Sequence, residues 1–292
     1  MNTMIDKSSV TWDAPAKLNL YLHVTGRQDD GYHTLDSLIV FTEVGDSLNV
    51  RESDTLSLKI VGPFAAALLG DEDHNLVLKA ARLLADTANV PARAEITLNK
   101  RLPVAAGLGG GSTDAAAALK ALMILWDINP KAINLETIAI SLGADVPVCM
   151  ATQSSFVGGI GERISPCPDL PQFGLLLINP NITFATADAF SAFSQPFSPA
   201  AAFTTAPSSV TELVDILGQR RNDLTADVIS LCPSVGDILK ALESLSSCRL
   251  ARMTGSGATC FGLFDTFSAA QRAAATLERH DWWTMPTAVA NT

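Results

Sequence analysis

The first sixty residues alternate hydrophobic and polar positions as β-strands do. Leu18, Leu20, Leu22 and Val24 recur at every second position, which is the period of a strand with one buried face. Further strand-like stretches lie between positions 35 and 58, separated by short turns that contain Gly or Asp. This pattern predicts an antiparallel meander with no helix between its first strands.

The middle of the chain combines helix and strand periods around a run of glycines. Residues 74–88 place apolar side chains at helical spacing, and residues 94–100 alternate again as a strand. The following segment, RLPVAAGLGGGSTDAAAALKALMILW, predicts a glycine loop that opens into an Ala-rich helix. Ser112 and Thr113 are the expected N-cap residues of that helix.

The remainder of the chain alternates helical patterns with short apolar strands. Helical periods occur at 135–143, 211–219, 234–244 and 268–280, and strands are expected at 173–178 and on both sides of a turn within 250–264. Residues 191–210 are rich in Ser, Ala and Pro and carry no charge, which predicts an irregular loop or weakly ordered helix ends at the surface. A shift in composition near 155–180 predicts a domain division there.

Composition excludes several classes of function. The 292 residues are 48% hydrophobic and carry a formal net charge of −10, so we expect a large core and neither a nucleic-acid nor an anionic-membrane partner. Five cysteines without a C-x-x-C pair indicate reduced thiols rather than disulfides or a zinc site. Asp6, Asp13 and Lys17 interrupt the N-terminus, and no apolar run reaches the ~18 residues of a membrane span. We therefore expect a soluble cytoplasmic protein.

The glycine run is the strongest chemical signal. Gly107 and the glycines at 109–111 precede Ser112, Thr113 and Asp114 at the head of a helix. Such a loop lets backbone N–H groups converge at the positive end of the helix dipole and bind phosphate. No Lys follows the last glycine, so this is not a Walker loop, and Ser112 stands where a dinucleotide fingerprint needs glycine. The alternative is a flexible turn with a glycine cap.

A second Gly/Ser turn and two charged residues gain meaning beside that loop. The turn TGSGA at 254–258 alone is typical of a hairpin, and it becomes a ligand loop only if it shares a phosphate with the first. Asp145, in GADVP, is either a structural cap or a base in a cleft. Lys17, in APAKLNL, is either a solvated residue at a strand start or a functional cation.

Four segments in order resemble the GHMP kinase superfamily: PAKLNLYLHVTGRQDDGYHTL, LPVAAGLGGGSTDAAAAL, LGADVPV and MTGSGATCFGLF. The resemblance covers nearly the whole chain. It implies an α+β, two-domain GHMP kinase fold, with a ribosomal S5-like N-terminal domain (1–165) and a ferredoxin-like C-terminal domain (166–292). In that fold, ATP and the substrate bind in the cleft between the domains.

Within the superfamily, PAKLNL together with GYHTL resembles the branch that acts on 4-diphosphocytidyl-2-C-methyl-D-erythritol. The resemblance implies transfer of the γ-phosphoryl group of ATP, with Mg²⁺, to the 2-hydroxyl of this substrate in non-mevalonate isoprenoid precursor biosynthesis. The implied partner is a small cytidine diphosphate molecule, with no nucleic acid and no membrane. Both a monomer and a homodimer stay open.

The resemblance also assigns roles to individual residues. It implies that Asp145 is the catalytic base, that Lys17 is its partner, and that Ser112 or Thr113 is a possible Mg²⁺ ligand. The implied ATP-binding residues are Pro103, Val104, Ala105, Ala106, Gly107, Leu108, Gly109, Gly110, Gly111, Ser112, Thr113, Asn75, Leu76, Lys100, Gly255, Ser256 and Gly257. The implied substrate-binding residues are Asn19, Tyr32, His33, Asp145, Thr186 and Phe190. The family usually has GGGSS where this chain has GGGST, which keeps the hydroxyl.

Two other functions compete with this interpretation. A non-catalytic sensor of the same fold would be expected to lose the base or the lysine, whereas Asp145 and Lys17 are both present. A GHMP kinase for another small alcohol would not need two adjacent rings. Tyr32 and His33 suit a pyrimidine better than an uncharged polyol.

Overall fold

A computed structural model describes residues 9–70, 74–277 and 281–290. Its strands are β1 (Ser9–Arg27), β2 (His33–Arg51), β3 (Leu56–Val61), β4 (Ala94–Asn99), β5 (Ser155–Gly159), β6 (Arg163–Pro166), β7 (Gly174–Asn179), β8 (Leu250–Met253), β9 (Cys260–Phe264) and β10 (Trp283–Ala288). Its α-helices are α1 (Leu76–Ala88), α2 (Gly110–Leu125), α3 (Leu135–Leu142), α4 (Val146–Ala151), α5 (Thr186–Ala192), α6 (Val210–Gly218), α7 (Thr225–Leu231), α8 (Ser234–Ser244) and α9 (Phe267–Ala275). The mixed helix and sheet content confirms the predicted α+β class.

The chain divides into two compact units that are discontinuous in sequence. The first contains the described residues up to Ala16, together with 45–104 and 110–152. The second contains 17–44, 105–109 and the described residues from 153 onward. The boundary between the units therefore falls within β1, after Ala16, and within β2, after Val44. The division at 165/166 concerns the two family domains and stays a prediction.

In the first unit, α1 and α2 accompany a sheet whose strands do not form a meander. β3 pairs in parallel with β4, and β4 pairs antiparallel with the second half of β2. β4 therefore lies between β2 and β3, and the predicted meander is wrong. The predicted stretches before and after Gly45 are also one strand and not two, since β2 continues through Gly45. Gly45 permits this because a Cβ there would overlap the backbone of Ala14.

The two helices of this unit begin differently. Asn75 caps α1, because its side-chain oxygen accepts the N–H of Val77 at 2.9 Å. α2 begins at Gly110, inside the glycine run, so Ser112 and Thr113 lie in its first turn and their prediction as N-caps is wrong. The Thr113 hydroxyl instead donates to the carbonyl of Gly110 at 3.0 Å, which satisfies it within the helix.

In the second unit, one sheet has the strand order β10-β7-β9-β8, with every neighbouring pair antiparallel. Along the chain these strands and the helices around them follow a β-α-β-β-α-β order, which is the ferredoxin-like arrangement. The helix predicted over 268–280 corresponds to α9; positions 278–280 lie outside the described residues. β5 and β6 extend the first half of β2 antiparallel.

One face of the β10-β7-β9-β8 sheet and the helices α7, α8 and α9 enclose a hydrophobic core. Val228, Ile238, Leu242, Cys260 and Phe264 are among its buried members. The five cysteines of the chain are free thiols, as their spacing predicts. Within the described ranges, no helix is both long and apolar enough to cross a bilayer.

The uncharged segment 191–210 is irregular between α5 and α6, as predicted, but buried polar groups anchor it. The N–H of Ser198 donates to the carbonyl of Val24 at 2.9 Å. The N–H of Ala201 donates to Asp36 Oδ2 at 2.6 Å, and the Ala201 carbonyl accepts from Arg220 Nε at 2.7 Å. These bonds replace the regular hydrogen bonding that the composition of the segment does not support.

Candidate functional site

The predicted site residues are distributed over both units. The first unit holds Asn75, Leu76, Lys100, Pro103, Val104, Gly110, Gly111, Ser112, Thr113 and Asp145. The second holds Lys17, Asn19, Tyr32, His33, Ala105, Ala106, Gly107, Leu108, Gly109, Thr186, Phe190, Gly255, Ser256 and Gly257.

The first glycine loop owes its shape to left-handed backbone positions. Gly107 and Gly109 have φ of 74° and 63°, and Ala105 has φ of 49°. A residue with a Cβ pays for such a conformation, whereas glycine adopts it freely. Successive residues in this kind of loop turn their N–H groups into an anion-binding concavity. The carbonyl of Leu108 accepts the N–H of Lys17 at 2.9 Å, which ties the loop to β1.

The two glycine loops approach each other backbone to backbone in the second unit. A Cβ on Gly107 would lie 2.6 Å from the Thr254 carbonyl oxygen and 2.8 Å from that of Gly257. A Cβ on Gly255 would lie 2.8 Å from the Gly107 carbonyl oxygen. The TGSG turn is the hairpin between β8 and β9, and its tip also contacts the first loop.

Lys17 is buried beside the same loop. Its side chain is 5% exposed, and its ammonium donates to Asn19 Oδ1 at 3.0 Å. A Cβ on Gly109 would lie 3.0 Å from Lys17 Cε, so the lysine stem occupies the space that this glycine leaves. The alternative of a solvated lysine is therefore wrong.

Asn19 connects Lys17 to the second loop. Its backbone N–H donates to Thr254 Oγ1 at 2.8 Å, and its side-chain amide donates to Ser37 Oγ at 2.7 Å. Lys17, Asn19 and both glycine loops therefore meet in one place.

Asp145 and the start of α1 belong to the first unit. Asp145 precedes α4, is half-buried and makes no side-chain capping bond to that helix. The interpretation of Asp145 as a cap of its own helix thus finds no support. Leu76, at the start of α1, lies against the start of α2, since a Cβ on Gly111 would be 3.5 Å from Leu76 Cδ1.

Lys100 forms a buried ion-pair cluster that sequence reasoning missed. Its ammonium lies 2.6 Å from Asp46 Oδ2 and 2.6 Å from Asp114 Oδ2. Burial, together with the neighbouring Asp46 charge, raises the pKa of Asp114 to about 7, although Lys100 opposes this shift. The other oxygen of Asp114, Oδ1, is buried without a hydrogen-bond donor.

An aromatic cluster surrounds His33. His33 stacks on Phe190, with ring centroids 5.6 Å apart, and meets Phe193 edge-on at 5.5 Å. Phe193 in turn stacks on Phe197 at 6.1 Å. Burial and the nearby Arg27 lower the pKa of His33 below its ordinary value, which favours the neutral ring. Sequence reasoning missed Phe193, although it follows Phe190 by one helical turn.

Tyr32 and Thr186 are the two remaining predicted substrate residues. Tyr32 is 63% exposed, and its N–H donates to Asp30 Oδ1 at 3.0 Å. The hydroxyls of Thr186 and Ser256 lie 2.9 Å apart, so Thr186 contacts the second glycine loop.

A metal ion would find hydroxyls rather than a carboxylate cage. Among the residues that the structure describes, no group of three or more His, Cys, Asp or Glu side chains is arranged to hold a metal. Mg²⁺ that accompanies a nucleotide takes most of its ligands from phosphates and water and needs one or two from the protein. The half-buried Ser112 fits that limited requirement, whereas Thr113 is buried and its hydroxyl donates to the Gly110 carbonyl.

Comparison with known proteins identifies the family. The model of the GHMP kinases N terminal domain matches residues 75–153, and that of the GHMP kinases C terminal domain matches 202–281. The chain is 49% identical to a 4-diphosphocytidyl-2-C-methyl-D-erythritol kinase of Paramagnetospirillum magneticum over 281 residues, covering 96% of this chain and 98% of the relative. A kinase of the same name from Granulibacter bethesdensis is 49% identical over 268 residues, covering 91% of this chain and 88% of that protein.

A solved structure gives the same result. The crystal structure of a 4-(cytidine 5'-diphospho)-2C-methyl-D-erythritol kinase is 32% identical, with a TM-score of 0.78 over 97% of this chain and 100% of that one. The chain therefore belongs to the 4-diphosphocytidyl-2-C-methyl-D-erythritol kinase family of the GHMP kinases.

Proposed function

We propose that this protein transfers the γ-phosphoryl group of ATP to the 2-hydroxyl of 4-diphosphocytidyl-2-C-methyl-D-erythritol, giving ADP and the 2-phosphate. The observation that carries the proposal is the meeting of Lys17, Asn19 and the two glycine loops. Family membership over nearly the whole chain supports the same substrate. The cytoplasmic location and the oligomeric state stay predictions.

The glycine loops supply the proposed nucleotide site. Backbone N–H groups of residues 104–113 and 255–256, together with the N-terminus of α2, are proposed to bind phosphate without a lysine in the loop itself. Asn75 and Leu76 at the start of α1 are proposed to face the adenine side. Mg²⁺ bound with ATP would neutralise phosphate charge, and of the two predicted ligands Ser112 would hold it.

Asp145 and Lys17 are proposed to act on the acceptor hydroxyl. The Asp145 carboxylate makes no capping bond to α4, and in this proposal it accepts the proton of the attacking hydroxyl. The Lys17 ammonium offsets the negative charge that develops on the transferring oxygens. Because phosphoryl transfer requires little covalent chemistry from the protein, positioning and charge neutralisation supply most of the rate.

The aromatic cluster supplies the proposed cytosine site. Tyr32 presents an exposed ring, and the neutral His33 has both a donor and an acceptor nitrogen for a pyrimidine edge. Phe190 packs against His33 and orients it. Thr186, beside Ser256, is proposed to contact the same substrate.

A coupled ADP-release assay with four acceptors tests the proposed function. The cytidylylated methylerythritol should give a kcat/KM at least ~10³-fold above mevalonate, homoserine or galactose, because binding of the remote cytosine contributes to the transition state. Mass spectrometry of the product should show one added phosphoryl group. Equal or greater activity with another acceptor would contradict the assignment.

Substitution of Asp145 by Asn should lower kcat by roughly 10²–10⁴-fold, because the amide keeps the shape but accepts no proton. The Kd for ATP, measured by titration without acceptor, should stay within about threefold. Asp237→Asn is the matched control, since Asp237 is also an aspartate at a helix start and is exposed. Wild-type kcat in Asp145→Asn would remove this residue from the role of base.

Substitution of Tyr32 by Ala should raise the KM for the cytidylylated substrate by roughly 5- to 150-fold, since base stacking on an aromatic ring contributes about 1–3 kcal/mol. Tyr32→Phe keeps the ring and should stay near wild type. The exposed Phe267 provides a control for loss of a surface aromatic. If Tyr32→Phe is as impaired as Tyr32→Ala, stacking is not the function of Tyr32.

A further inference from the structure

The Lys100 cluster lies where the chain enters and leaves the first glycine loop. Its three charged side chains, Lys100, Asp46 and Asp114, come from separate parts of the sequence and are each at most 3% exposed. They bring two carboxyl groups and one ammonium group together in one buried position. We call this group the Lys100 cluster.

Asp46 fixes the entry to the loop. Its Oδ2 accepts from the Lys100 ammonium, while its Oδ1 accepts the backbone N–H groups of Arg101 at 2.5 Å and Leu102 at 2.9 Å. The backbone N–H of Lys100 donates to the Val61 carbonyl at 2.7 Å. The chain is therefore held at three consecutive residues as it leaves β4 toward Pro103.

Asp114 and Gly110 fix the exit from the loop. Asp114 lies near the start of α2 and accepts from the same Lys100 ammonium at 2.6 Å. A Cβ on Gly110 would lie only 3.0 Å from Lys100 Nζ and 3.6 Å from Asp46 Oδ2. The ammonium thus packs against the first residue of the helix, and one lysine contacts both ends of the loop.

The energetics of the cluster favour a role in geometry over one in stability. Burial removes three ionisable groups from water at a large desolvation cost, and apolar side chains of similar volume often serve stability as well or better. Asp114 Oδ1 adds the cost of a buried acceptor without a donor. Apolar residues would not form the directional hydrogen bonds that the cluster makes to both ends of the loop.

We infer that the Lys100 cluster is a clamp that sets the separation between residues 101–102 and the start of α2, and so holds residues 103–109 in the shape that binds ATP phosphates. Lys100 is then a positioning residue that acts through Asp46 and Asp114, in place of the direct ATP contact that the family resemblance implies. This inference rests on the proposed role of the loop in nucleotide binding.

The experiment compares Asp46→Asn, Lys100→Met and the control Glu95→Gln with the wild-type protein. Glu95→Gln removes the exposed ion pair to Arg51 in the same unit. Amide hydrogen exchange over residues 103–109 should be at least tenfold faster in Asp46→Asn and unchanged in the control. The Kd for ATP should rise at least tenfold, while the KM for the acceptor should stay within threefold.

Lys100→Met distinguishes a clamp from a lysine that contacts the adenine base. It is also the variant to test if Asp46→Asn does not fold. If the clamp is correct, Lys100→Met should raise the Kd for ATP and the Kd for GTP by the same factor. If Lys100 instead contacts adenine, the ratio of the two Kd values should change. A folded variant with a lower Tm but wild-type loop exchange and ATP affinity would overturn the inference. Hydrogen exchange in the loop needs no catalytic turnover, so it tests the clamp independently of the proposed function. A wild-type protein that phosphorylates none of the acceptors would contradict only the proposed function.

Discussion

The close backbone approach of the two glycine loops is the constraint on which the candidate site depends. Gly107 and the turn at 254–257 leave no room for a Cβ on Gly107 or Gly255. This approach joins the tip of the β8–β9 hairpin to the first glycine loop, and Asn19 binds Thr254 at the same place. The register of β1 then places Lys17 against Gly109. Glycine therefore serves packing here as well as ligand approach.

The substrate-specific and nucleotide-specific parts of the site rest on different physical interactions. In the proposed site, N–H groups and a helix N-terminus bind phosphate, and such groups recognise charge but no particular acceptor. Acceptor recognition is assigned to Tyr32 and the stacked pair of His33 and Phe190, whose rings suit a planar base. This separation is consistent with the sequence, in which the glycine loops indicate the superfamily and PAKLNL together with GYHTL indicates the branch.

Local patterns predicted the elements that local chemistry determines, namely the helices at α1, α2, α8 and α9, the glycine loop and the irregular segment 191–210. Prediction failed where distant residues decide the structure. β2 continues through Gly45 and Asp46 because β1 pairs with it and Asp46 bonds to Lys100, fifty-four positions away. Likewise, Phe193 gained its significance only when the fold placed it against His33. Contacts between residues far apart in the chain leave no periodic pattern in a single sequence, so pattern analysis does not find them.

The affinity of Gly107→Ala for ATP, compared with that of Gly70→Ala, tests the central claim most directly. Both glycines have left-handed backbones, with φ of 74° and 85°, so both substitutions incur a similar conformational cost, but a Cβ on Gly70 meets nothing within 4 Å. If contact between the loops builds the nucleotide site, calorimetric titration should show ATP binding at least ~10-fold weaker in Gly107→Ala, about 1.4 kcal/mol, and within about twofold of wild type in Gly70→Ala. Equal ATP affinity in the two variants would contradict the account.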